Sequence, residues 1–364
     1  MVVDTVGRVL PILVFVFAIT VVAQAATMIG VFEVTARKLE KLAHGRVLAA
    51  WLLTVGLSWA VTVVLSLDTT AVLLTPVIVA MCRRNRLAYR PFVLTCLWLA
   101  NTGSLLLPVS NLTNLIVAHN FGSTGNYVRW MATPALASVA VTCLLLYIGF
   151  RASLRGTYVP GSGASLAERS TATTYDPVLL PLGCCVCLAL GPAFVLVDTP
   201  AIPAVLAAIV LVAACWVRKR AYVYELHPPY TMVLVIALLF AAVTAGRVAG
   251  LDELLSRLVS PGQGLGALLG LAGVGAIGAN LINNLPAFLA LSGIAEHPAR
   301  LAALLIGVNC GPLITMWGSL ATLLWRDRLA SEHIHVGARH IAAAGIGAVP
   351  LLVGVPVVAL WLTL

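Results

Sequence analysis

The chain has 364 residues, 61% hydrophobic and only 10% charged, with a net charge of +9. A soluble domain carries roughly 25% charged residues, so at a mean hydropathy of +1.03 there is too little polar surface to cover a water-soluble globule. The basic residues sit in short clusters between long uncharged runs, not as a stripe on one folded face, which excludes nucleic acid as a partner and describes a multi-pass helical protein of the lipid bilayer.

The first apolar stretch, from Arg8 to about Val31, begins like a signal sequence. Its core exceeds the roughly 7–15 residues of a signal and ends in charge, not at a small-residue cleavage site, so it reads as a membrane helix. Full crossings are predicted near 10–31, 92–117, 131–150, 177–197, 201–217, 230–246, 301–325 and 340–363. Two further apolar pairs, 47–82 and 264–294, break at polar midpoints, Leu67-Asp68-Thr69-Thr70 and Asn283-Asn284-Leu285-Pro286. A crossing takes about 20 residues, so each pair either crosses twice or dips in and returns. The segment 151–176, rich in Gly, Ser and Thr, is a hydrophilic linker dividing the chain into a first half, 1–150, and a second half, 177–364.

If the loop holding Arg37, Lys38, Lys41 and Arg46 is cytoplasmic, alternation of the crossings places 17 of 22 basic residues inside. That is the asymmetry expected of the positive-inside rule. The linker is then cytoplasmic, and Arg8, Arg129, Arg247, Arg257 and Arg300 lie outside.

The halves repeat. A shift of 208 residues lays Asn101–Leu115 on Asn309–Leu323, with five of fifteen positions identical and the polar positions in step. A shift of 220 lays Ile29-Gly30-Val31-Phe32-Glu33 on Ala249-Gly250-Leu251-Asp252-Glu253. Both halves run helix, amphipathic stretch, polar-tipped pair, broken helix, helix, and charge counting gives the two broken helices opposite directions. Inverted repeats of this kind are the architecture of secondary transporters, whose substrate site lies at the repeat interface.

Pro108 breaks the first long helix and frees carbonyls, with Ser110, Asn111, Thr113 and Asn114 offering hydroxyls and amides at the break. Gly311-Pro312 and the run Thr315–Thr322, with Gly318, Ser319 and Thr322, repeat this in the second half. A half-helix starting at Ser110 or Ser319 would aim its free N–H groups at the gap, suited to oxygen-rich or anionic solutes; the competing reading is that these residues only join helices. Asp68 is a carboxylate flanked on both sides by more than a dozen uncharged residues. Inside the bilayer such acids serve ion or proton pathways, whereas in a short external turn it would do little. Asn283 and Asn284 are its counterparts, able to bind an ion or simply to cap a helix before Pro286.

Eight cysteines lie in or beside apolar runs and read as small hydrophobes, with Cys184-Cys185-Val186-Cys187 the only cluster suggesting a thiolate site for a soft metalloid. His333, His335 and His340 near Glu332 have no regular ligand spacing and read as solvated surface, so no metal site is assigned. No phosphate loop, nucleophile elbow or paired-cysteine motif is present, so neither catalysis nor a cofactor is expected.

Four motifs together, Asp68–Pro76, Ser110–Asn114, Asn283–Pro286 and Gly318–Trp325, resemble the arsenite/antimonite efflux permeases of the ion transporter superfamily, which also holds sodium/dicarboxylate symporters and sodium/proton antiporters. The resemblance extends from about residue 8 to 363. It implies an all-α membrane transporter with two re-entrant hairpins and two broken helices, a scaffold and a moving transport part, and usually a homodimer. Asp68, Thr69, Ser110, Asn111, Thr113, Asn114, Asn283, Asn284, Asn309, Gly318, Ser319 and Thr322 would form the substrate and ion site. Members export the trivalent metalloid hydroxide against proton entry across the inner membrane, sometimes with a soluble ATPase subunit. The resemblance also implies one or two helices before residue 8, so the first repeat is shorter than the second. Where these permeases carry an acid before the second Gly-Pro this chain has Asn309, and where they carry a lysine after it this chain has Leu313. Loss of both charges keeps the balance. On the same scaffold, sodium- or proton-coupled movement of another inorganic or dicarboxylate anion is the alternative, and a non-transporting sensor or assembly subunit a third.

Overall fold

A computed structural model describes residues 2–163 and 175–364, with side chains from Leu10 onward. Part of the predicted linker, including Arg169, lies outside the described residues. Among those described, the chain is helical apart from one isolated bridge between Arg46 and Thr157. Eight helices are long and apolar enough to cross a membrane.

The first half contains α1 (Val2–Ile29), the amphipathic α2 (Val31–Leu42) and α3 (Val47–Leu65), then a one-turn α4 (Leu67–Thr69), a π-turn (Thr70–Leu74) and α5 (Thr75–Arg84). After α6 (Tyr89–Thr102) the chain breaks through two 3-10 turns, resumes as the short α7 (Leu112–Val117), and ends in α8 (Thr124–Phe150). The second half starts with α9 (Leu179–Leu196), α10 (Ala201–Arg218) and the short α11 (Arg220–Tyr224). It then repeats the first: α12 (Tyr230–Val248) and α13 (Leu251–Ser256), a hairpin of α14 (Leu265–Ile282) and α15 (Asn284–Leu291), a broken pair α16 (Pro298–Cys310) and α17 (Leu320–Ser331), and α18 (Ala338–Trp361).

Local backbone geometry repeats with the sequence. Gly30 and Gly250 both adopt left-handed φ, 93° and 90°, where each half turns from a membrane helix into its amphipathic one. Ser66 and Asn283, at the two hairpin tips, have φ 97° and 83° with ψ 161° and 152°. Asn111 and Ser319 both cap the second part of a broken helix from extended backbone, each side chain accepting from an N–H in the first turn. The first hairpin therefore turns at Ser66, one residue before the predicted Leu67–Thr70 break, and the first half-helix is capped by Asn111, not Ser110. Ser110 instead sits in a 3-10 turn begun by Pro108, whose fixed φ suits that geometry.

Packing places the hairpins against the broken helices. In the second half Gly307 and Gly311, one helical turn apart, face Ala272 and Ala276 of α14, and a methyl on either glycine would collide with them. Small residues at this spacing let two membrane helices approach backbone to backbone. In the first half α3 meets α6 through Trp51, whose Nε1 donates to Thr95 Oγ1 at 2.8 Å, and through Ser58 beside Cys96. Helices α1, α9, α10 and α12 form one group, the hairpins with α6–α8 and α16–α18 form another, and α2 packs against both. Helix α12 buries only Ile236, leaving an apolar face suited to lipid. All eight cysteines are free, Cys185 exposed and Cys184 and Cys187 partly so. His333, His335 and His340 are exposed, as expected of a solvated turn.

Candidate functional site

The two broken helices meet through side-chain amides. Asn309, at the end of α16 and fully buried, accepts hydrogen bonds at Oδ1 from Asn111 Nδ2 (2.7 Å) and Thr113 Oγ1 (3.0 Å). Its Nδ2 donates to Asn114 Oδ1 at 2.8 Å. Asn114 Nδ2 donates to the Ser104 carbonyl at 2.6 Å, which the helix break leaves without its usual partner. Four of the predicted residues, two hundred positions apart in sequence, thus form one closed network. An amide is required at 309, because it accepts and donates at once, which a carboxylate does not do when ionised. Leu313, where the resemblance expects a lysine, is buried and apolar, with its carbonyl against Gly345.

A second set joins the tip of the second hairpin to the second break. Asn283 Nδ2 donates to Trp317 O at 2.9 Å, and Asn284 N–H donates to Gly318 O at 2.9 Å. Asn280 spans the same gap: its Nδ2 donates to Gly311 O at 2.8 Å, while its Oδ1 accepts from the N–H groups of Ile314 (3.2 Å) and Thr315 (3.0 Å). Asn280 and Thr315 are absent from the sequence-derived set. The signal was a single amide in the otherwise apolar and Gly-rich 265–282 run. Ser319 Oγ and Thr322 Oγ1 lie 2.9 Å apart at the start of α17.

The first hairpin provides the third set. Ser110 Oγ donates to Val63 O at 3.0 Å, tying the first break to α3. Thr69 Oγ1 turns back to Leu65 O at 2.7 Å, and Thr62 and Thr70 hydroxyls pair at 2.8 Å. Asp68 lies on a turn that packs against both α6 and α17. It is partly buried, and its Oδ1 is enclosed without a hydrogen-bond partner among the described residues. No Lys or Arg occurs in the segments 62–76, 101–117, 279–286 or 309–325 that build these three sets.

A cavity of about 970 Å³ opens elsewhere, between the two helix groups, with Phe15, His119, Asp198, Arg247, Ser292 and Glu296 in its wall. Arg247 crosses that divide, donating to Leu289 O and Ser292 Oγ at 2.9 Å each. Among the described residues no three His, Cys, Asp or Glu side chains group as a metal site.

Eight crossing-length helices, two of them the first arms of polar-tipped hairpins, together with two broken helices that meet through buried amides define a multi-pass membrane transporter. A family model described as citrate transporter, CitMHS, matches residues 5–304. The arsenical pump membrane protein of Yersinia enterocolitica is 30% identical over 345 residues, covering 87% of this chain and 78% of that one. The protein of the same name from Escherichia coli strain K12 is 28% identical over 341 residues with the same coverage. The chain belongs to the citrate transporter (CitMHS) family of inner-membrane transporters, and arsenical pump membrane proteins are among its relatives.

Proposed function

We propose that the chain exports arsenite or antimonite, as the neutral hydroxide or its anion, in exchange for protons by alternating access. The arsenical-pump relatives, which align with most of the chain, carry this reading. The chemistry of the breaks supports it: amides, hydroxyls and freed carbonyls suit a small polyhydroxide, and without a basic side chain binding stays weak enough for release.

The mechanism follows from the inverted-repeat reading. Each hairpin ends beside a helix break, through Ser110–Val63 and Asn284–Gly318, which fits a re-entrant dip better than a double crossing. Residues 1–150 and 177–364 are then the two repeats, joined by the 151–176 linker. The hairpins and broken helices travel as the transport part against α1, α2 and α9–α12. The cavity beside Arg247 is where these parts separate on the outer face. Asp68, Thr69, Ser110, Asn111, Thr113, Asn114, Asn283, Asn284, Asn309, Gly318, Ser319 and Thr322 surround the substrate and coupling ion, with Asp68 exchanging the proton. A homodimer and, in some settings, a soluble ATPase partner complete the assembly.

A second reading, sodium- or proton-coupled transport of a carboxylate or inorganic anion, is favoured by the family description as citrate transporter. The absence of basic residues in the three sets weighs against it. Arsenite uptake into everted vesicles from expressing cells, with and without a protonophore and beside Asp68→Asn, decides between them. Accumulation that the protonophore collapses and the variant lacks is the expected result. No accumulation by folded protein refutes the arsenite reading, and citrate or another dicarboxylate under a sodium gradient is then the substrate to assay.

A further inference from the structure

The 208-residue repeat lays Asn101 on Asn309, Asn111 on Ser319, Thr113 on Ala321 and Asn114 on Thr322. Helix packing follows the same symmetry: α16 touches α7, and α6 touches α17. The hydrogen bonding does not. Around Asn309 both amide atoms are engaged, Oδ1 by Asn111 and Thr113 and Nδ2 by Asn114. At the start of α17 the equivalent side chains are shorter, and Ser319 and Thr322 bond to each other instead. Asn101, fully buried, donates from Nδ2 to Leu97 O at 3.0 Å. That bond fixes the orientation of the amide, and its Oδ1 has no partner among the described residues.

A second enclosed acceptor without a partner, Asp68 Oδ1, is carried by the 67–69 turn that rests on both α6 and α17. A carboxylate and an amide carbonyl both present lone pairs, and an anion would be repelled by either. A buried acceptor is costly to leave unmet, and enclosure limits the ligand to a small one. We propose that Asn101 and Asp68 contribute oxygen ligands to a niche for a compact monovalent cation, hydronium or sodium, between α6, the 67–69 turn and α17, and that the coupling ion is held there. This rests on the reading above that Asp68 exchanges the coupling ion, and it adds Asn101, whose repeat-mate Asn309 instead holds the helices together.

The test uses the full chain and two variants, Asn101→Leu, which removes the acceptor at similar size, and Asn101→Asp, which retains one. In everted vesicles the ratio of gradient-driven arsenite accumulation to gradient-free arsenite counterflow is expected to fall at least tenfold in N101L and to recover at least partly in N101D. A wild-type ratio in N101L overturns the niche. In detergent, the melting temperature of the wild type is compared in sodium and potassium chloride and across pH. Stabilisation by sodium that N101L lacks identifies sodium. Absence of a sodium effect, with pH-gradient coupling lost in N101L, identifies the proton. A wild type whose stability and transport ignore both ions overturns the proposal. If the wild type moves no arsenite, the functional reading fails, while a sodium effect absent from N101L still supports the niche. Should N101L not fold, Asn101→Ala takes its place under the same criteria.

Discussion

Replacing Asn309 with leucine would remove the amide at the centre of the network through which the two broken helices meet. Its amide makes three hydrogen bonds to the first half, at 2.7, 3.0 and 2.8 Å. Inside membrane proteins such bonds average about 0.6 kcal/mol each with a maximum of about 1.7, so direct loss amounts to about 2 kcal/mol. A further effect is on what remains. Asn111 Nδ2 would be left buried without this partner, at roughly 1–3 kcal/mol for a stranded group. Thr113 is less affected, because its hydroxyl already lies 3.5 Å from Asn114 Oδ1. The expected destabilisation by Asn309→Leu is therefore about 3–5 kcal/mol, read from denaturant unfolding in micelles. Pairing it with Asn114→Leu in a double-mutant cycle isolates the 309–114 bond, with an expected coupling of about 0.6–1.5 kcal/mol. An Asn309→Leu protein within about 0.5 kcal/mol of wild type, or a cycle with zero coupling, would refute the view that this network joins the halves.

Two contrasts test the packing and the tips. Gly307→Ala places a methyl against the Ala272 backbone and is expected to destabilise by about 3 kcal/mol, whereas Gly270→Ala in α14 meets nothing within 4 Å and should be neutral or slightly stabilising; equal effects in a micelle melting assay would exclude the close approach of α14 and α16. Ser66→Gly relieves a backbone at φ 97° and ψ 161° and should stabilise by about 1 kcal/mol. Asn283→Gly relieves a similar strain but loses the bond to Trp317 O and the cap on Leu285 N–H, so it should show no gain; equal stabilisation of both would mean that the Asn283 amide contributes nothing.

The breaks and hairpins were legible in the sequence because Pro108, Gly311-Pro312 and clustered amides cannot continue an apolar helix without partners. The 220-residue match aligned Gly30 with Gly250, and the structure adds that both are left-handed turns. What the sequence hid depends on geometry. A charge drew attention to Asp68, while the turn is made at Ser66, and nothing in a serine announces left-handed backbone. Asn280 is one amide in a Gly-rich run, and its bonds to Gly311, Ile314 and Thr315 exist only because the glycine spacing brings α14 onto α16.

The same distinction separates structural from functional polarity in the fold. Asn111, Thr113, Asn114, Asn309 and Asn280 are as polar as any residue in the membrane core, and each has protein partners here, so a substrate that reaches them must take over bonds that now hold the helix breaks closed. Asp68 and Asn101 each have an enclosed oxygen without a partner among the described residues. Composition cannot tell these groups apart, since an asparagine reads the same in both. A repeat whose two halves have diverged can: at 309 the facing side chains are long enough to close the network, and at 101 they are not. The repeat-mate with the shorter neighbours is the one whose oxygen needs to break no protein bond to hold something else.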